Sequence, residues 1–231
     1  MSHVEPSERL EESDWLEPRL SGYHSVTSVV PDGFPAYVRI LHPARSRNNA
    51  PVRWAQIAGW SGRVMHRLAE FHRIRDPLPS FGGEPEPWDD GEPETGNLAP
   101  DLMRMLYATL RDYTASDACW FCVWDGYSDM RGSTAPTVIL PGRGYLLFGG
   151  PLTAAMNTDW SPGGSIFARQ SPNLFWPQDR SWCVGSEIDL HSTFVGGPLA
   201  LANALVANPA LEAWRVEPTD PVTSDSDRLN W

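Results

Sequence analysis

Apolar and polar positions along the 231-residue chain fall into short runs, and each run predicts an element. Residues 25–30 and 36–42 are β-branched or alternating stretches separated by Pro31-Asp32-Gly33-Phe34-Pro35, which predicts a hairpin. Residues 52–58 predict a short helix. Val64, Leu68 and Phe71 recur at helical spacing and predict a second helix over 61–74. Leu102, Leu106, Leu110 and Tyr113 form the clearest apolar stripe, behind Pro100 and Asp101, which suit a first helical turn. Residues 119–124 are apolar on both alternating faces, the pattern of a central strand buried on both sides. Strands are also predicted at 137–140 and 145–148, around Pro141-Gly142-Arg143-Gly144, at 181–190, and at 214–216 as an edge. Residues 151–157 and 198–207 read as helices. Strands and helices mix without a regular βαβ rhythm. The pattern predicts a single α+β domain with a mixed or antiparallel sheet, its central strand near 119–124 and helices packed on it.

Charge changes the picture of the ends and the middle. The formal net charge is −11, from 29 acidic and 18 basic residues, and every basic residue is arginine. The absence of lysine excludes Schiff-base chemistry and a phosphate-loop lysine. The net charge argues against nucleic acid or an anionic membrane as partner. Two short stretches hold the imbalance: residues 1–20 carry −4 and residues 76–94 carry −7, while residues 21–75 carry +6. The first reads as a disordered acidic tail and the second as part of an exposed Pro/Gly-rich acidic loop over 76–97. Residues 21–219 then form the domain, and 220–231 read as a polar C-terminal tail. No apolar run approaches the roughly 20 residues of a membrane span. Three cysteines and no secretion-type start predict a cytoplasmic protein.

Several blocks resemble a family of uncharacterised actinobacterial proteins: CWFCVW at 119–124, YLLFGGPL at 145–152 and SPNLFWPQDRSWCV at 171–184. EIDL at 187–190, VGG at 195–197 and DSD at 225–227 extend the similarity over most of residues 25–228. The resemblance implies no particular activity and carries over no catalytic residue. A high-GC genome would also favour arginine over lysine.

Three sets of residues are candidates for chemistry. Glu187, Asp189 and His191 alternate along the predicted 181–190 strand and its exit, which would put two carboxylates and an imidazole on one face. Such a set could bind a divalent metal or act as acid and base, although a plain solvated strand face shows the same pattern. Trp88, Trp160 and Trp176 fall in Pro/Gly-rich stretches, and Phe175-Trp176 beside Asp179 and Arg180 is the preferred binding patch. Arg63, Arg67 and Arg73, within the arginine-rich segment 39–75, could bind an anion or lie against the acidic loop. His66 and Glu70 are four residues apart and suit an ion pair. Cys119 and Cys122 lie three apart on a strand, so they point to opposite faces and read, with Cys183, as structural cysteines with no metal. No phosphate loop, Gly-x-Ser-x-Gly or His-Glu-x-x-His motif occurs, and no cofactor is expected.

The leading expectation is a non-catalytic intracellular protein of the immunity-inhibitor or adaptor type, with a protein partner. The alternatives are a hydrolase or metal-dependent enzyme built on Glu187, Asp189 and His191, and an anion sensor built on the arginines.

Overall fold

The computed structural model describes residues 4–21, 24–89, 91–157, 160 and 170–231. In chain order the elements are β1 (Glu5–Pro6), β2 (Ala36–Leu41), β3 (Ala44–Arg45), β4 (Pro51–Val52), α1 (Trp54–Ser61), α2 (Phe71–Ile74) and α3 (Pro100–Leu110). There follow β5 (Ala118–Trp124), β6 (Thr137–Leu140), β7 (Arg143–Pro151), β8 (Leu174–Pro177), β9 (Cys183–Gly185), β10 (Ser192–Gly197), α4 (Leu199–Ala207) and β11 (Ala213–Val216). One sheet runs β1-β7-β5-β8-β9-β10-β2-β11, with β6 also paired to β7, and β3 and β4 make a separate ribbon. Every pairing among the described residues is antiparallel. The fold is therefore a single α+β domain. No helix among the described residues is long and apolar enough to cross a membrane.

The unbroken apolar run of β5 follows from its position between β7 and β8, with a core on each side. Cys119, Phe121 and Val123 face the main core, where Leu106 and Leu110 of α3 meet Leu201 and Leu205 of α4. Trp120 and Cys122 face a second core with Trp176, Cys183 and, from the N-terminal segment, Trp15 and Leu16. A third cluster, around Trp54, Ile57, Phe71 and Trp88, packs α1 and α2 beside Leu41.

Several expectations are corrected. Residues 4–20 are no disordered tail: β1 pairs with β7, and 3-10 turns at Leu10–Ser13 and Glu17–Arg19 seat Trp15 and Leu16 on the sheet. Residues 1–3 of that segment lie outside the described residues. The C-terminal segment is docked as well, with Asp220, Ser226, Asp227 and Asn230 all buried. The 25–30 stretch holds a 3-10 turn, Val26–Ser28, and β2 pairs instead with β10 and β11. All six β2 residues are buried, so this strand needs a neighbour on each edge, and a single hairpin partner would supply only one.

The helix expected over 61–74 is interrupted because α1 ends at Gly62 in the left-handed region (φ +75°), where a side chain would be strained. Only α2 re-forms beyond it. The strand expected over 181–190 stops at Gly185, and the chain turns back through residues 186–191 into β10. The stretch around Phe175 and Trp176, read as loop, is the interior strand β8. Residues 76–89 and 91–99 carry no helix or strand, and Asp90 of the acidic loop lies outside the described residues.

Candidate functional site

The turn at 186–191 separates the proposed acid–base set. Arg143, on β7, donates from Nε to Glu187 Oε1 (2.8 Å) and from Nη2 to Asp189 Oδ2 (2.7 Å), while the Asp189 amide donates to Glu187 Oε2 (2.7 Å). One guanidinium fork thus holds both carboxylates. His191 bonds neither of them: its Nε2 lies 3.6 Å from Glu92 and its ring is edge-on to Phe71, although it lines one small cavity with Asp189. The sequence contains no local signal for Arg143, which joins the turn only through the sheet. Among the described residues no group of three or more His, Cys, Asp or Glu is placed to hold a metal. Cys119, Cys122 and Cys183 are unbridged and buried, and burial pushes all three thiols up.

The aromatic patch does not exist as a surface. Phe175 and Trp176 alternate into the two cores of β8, Trp160 packs on Phe121 and Phe148, and Trp88 packs on Trp60 and Phe71. All four are buried. Asp179 accepts from the Thr114 hydroxyl and the Ala115 amide (2.8 Å each) and from the Ser181 amide (3.1 Å). Burial raises its pKa, but these bonds together outweigh that and hold it below the usual carboxylate range. Arg180 lies over the Trp15 ring at 5.6 Å, clamping the N-terminal segment.

The three arginines meet the C-terminal segment, and Arg63 also bonds Asp76, the first residue of the acidic loop. Arg67 binds Asp220 through Nε (2.7 Å) and Nη2 (3.0 Å). Arg63 donates to the Asp76, Asn230 and Trp231 carbonyls, and Arg73 lies 4.1 Å from the Trp231 ring. The acidic loop reaches this segment through Arg75, which pairs with Glu92 (2.8 Å) and Asp76 (3.7 Å). His66 and Glu70 do not pair with each other. His66 binds Asp227, and Glu70 binds the buried Arg39.

A groove remains that the sequence reading missed. It is a cavity of about 520 Å³ between the β3–β4 ribbon, the start of α1, α3 and the chain leading into β11. Helix α3 carries two apolar stripes. Met103, Leu106 and Leu110 enter the core, whereas Leu102, Met105 and Ala108, three residues apart, line the groove. Pro43, Pro51 and Ala210 extend this apolar floor. Arg45, Arg53 and Arg104 are the basic lining residues. Arg53 donates to the Pro209 carbonyl and Arg104 pairs with Asp101, which leaves each guanidinium further N–H groups to offer. The carboxylate of Glu212 is committed to the fold. Its two oxygens accept the Trp54 and Ala55 amides at the start of α1 (2.8 Å each). Burial raises the Glu212 pKa. The available signal was the second α3 stripe, which begins one residue out of phase with the core stripe.

No protein-family model matches the chain, and neither the curated proteins nor the solved structures contain a match.

Proposed function

We propose that this chain is a binding protein of the immunity-inhibitor or adaptor type, and that its α1–α3 groove receives an acidic, apolar segment of a protein partner. The observation that carries this reading is the groove itself: an apolar floor from α3 and two prolines, bordered by three arginines. Apolar side chains of a partner would fill the floor and its carboxylates would meet the guanidinium forks. Met105 suits such a surface because its flexible thioether adapts to differently shaped side chains. The lining offers contact surface, since its half-buried Glu212 carboxylate already serves as a helix cap. A site this small takes a short segment, so the interaction is of the weak, transient class. Three unbridged cysteines suit a reducing compartment, and the cytoplasm is the proposed location. We also propose membership of the actinobacterial family on the shared sequence blocks.

Peptides selected from a displayed library on the intact protein provide the test. Selected peptides are expected to place Asp or Glu beside Leu, Ile or Phe, and their affinity should fall as salt rises. Met105→Glu, or Arg53→Glu with Arg104→Glu, should weaken binding about tenfold, near 1.4 kcal/mol. Peptides that bind these variants as well as the native protein would refute the groove as the binding surface.

A further inference from the structure

A second cavity, of about 130 Å³, lies between the β10–β2–β11 end of the sheet, the chain around Leu68–His72, and residues 221–224 of the C-terminal segment. Its lining mixes polar residues, among them Arg39, Glu70, His72, His191 and Ser192, with apolar ones, among them Leu68, Leu190, Phe194, Val216 and Val222. Arg39 is almost wholly buried and nearly spent. It donates from Nε to Ser192 Oγ (2.9 Å), from Nη1 to the Arg67 and Ala69 carbonyls (3.2 and 2.9 Å), and from Nη2 to Glu70 Oε1 (3.1 Å).

This arrangement fixes the charge the cavity can accept. The Arg39–Glu70 pair cancels, and Asp189, also on the lining, is held by Arg143. Burial lowers the pKa of both His72 and His191 from the ordinary imidazole value and so favours the neutral ring. An anion would be pressed against Glu70 and a cation against Arg39, neither of which has spare opposite charge.

What the wall does have is unused hydrogen-bonding capacity. Among the described residues, Glu70 Oε2, the His72 ring and the Ser192 hydroxyl hydrogen have no hydrogen-bond partner, and the His191 ring has only its 3.6 Å approach to Glu92. Neutral imidazole offers one donor and one acceptor, and a carboxylate oxygen only accepts. Groups that donate and accept at once suit such a wall, and hydroxyls do both. A cavity of about 150 Å³ accommodates a six-carbon ring, so this one takes about five or six heavy atoms.

We propose that this cavity is a binding site for a small neutral polyol, its hydroxyl edge on Glu70, His72, His191 and Ser192 and its carbon face on Phe194 and Val222. Glycerol, with six heavy atoms, is the probe, titrated into the intact 231-residue chain at pH 7 while the histidine ring Cε1–H resonances are followed. Thermal stability is unsuitable as a readout, because polyols raise it by exclusion from any protein surface. The expected result is saturable shifts at His72 and His191 but not at the exposed His24. In Val222→Phe and Leu68→Phe, each of which fills the cavity, glycerol should bind at least tenfold more weakly. Shifts that rise linearly without saturating, or that persist unchanged in both folded variants, overturn the proposal. So does saturation by propionate or propylammonium at lower concentration than glycerol.

Discussion

Asp227 is fully buried, yet it is the residue on which the C-terminal segment turns. His66 Nδ1 accepts from the Leu68 amide, so Nε2 carries the proton and donates to Asp227 Oδ1 (2.8 Å). The Glu70 amide, the Leu229 and Asn230 amides and the Asn230 side chain complete the set around the carboxylate. Burial raises the Asp227 pKa, but this set outweighs it and holds the carboxyl below its ordinary value. Asp227→Ala would orphan several buried donors at once, so a loss of about 3 kcal/mol in urea unfolding is expected. Asp225→Ala, at an exposed position two residues away, should barely move the midpoint. Equal losses would show that the segment is not anchored at Asp227. The residue types here were visible in sequence as a polar stretch. Burial was not, because it comes from partners some 160 positions away.

His42 carries the second prediction at this scale. Its Nδ1–H donates to the Glu94 carbonyl (2.7 Å), so Nε2 accepts from Thr193 (2.9 Å). Burial pushes its pKa down to about 4. Between its unfolded value near 6.5 and that figure, the unfolded chain binds a proton that the folded one refuses. The stabilisation is therefore complete above pH 6.5 and is lost as pH falls toward 4, by roughly 3 kcal/mol over the full range. His42→Asn should be less stable at pH 7 but show a flatter pH dependence, measured as urea midpoints from pH 7 to 5. Parallel profiles would remove His42 as the cause.

At the scale of elements, legibility followed local period. Helices α3 and α4 and strands β5, β6, β7 and β11 were readable because each buries a face or a strand that its own spacing describes. Strand β8 was not: Phe175 and Trp176 are flanked by prolines, and only pairing with β5 and β9 makes them a strand. The N-terminal segment misled for another reason. Its acids dominate composition, while 3-10 turns place Trp15 and Leu16 on the sheet without the spacing of either an α-helix or a strand. The segment covers Trp120, Trp176, Cys122 and Cys183. Trp15→Ala should cost about 3–5 kcal/mol in thermal or urea unfolding, as for a large aromatic removed from a core. A cost near that of a surface substitution would return the segment to the status of a tail.

For the whole molecule, the net charge of −11 describes no single surface. The acidic N-terminal segment is part of the sheet's cover, and the arginine-rich segment holds the C-terminal segment through Arg63, Arg67 and Arg73. Both chain ends are thus structural, and the domain closes only when residues distant in sequence have met. Its three thiols report on that closure. Cys119 lies on the α3–α4 side of β5, whereas Cys122 and Cys183 lie beneath the N-terminal segment. If the molecule opens only as one cooperative unit, a thiol reagent should label all three cysteines at one rate, and that rate should track global unfolding in denaturant. Mass spectrometry of peptides from partly labelled protein measures each site separately. Faster labelling of Cys122 and Cys183 than of Cys119 would show the N-terminal segment lifting by itself, contradicting a single cooperative unit and making that segment the first to open.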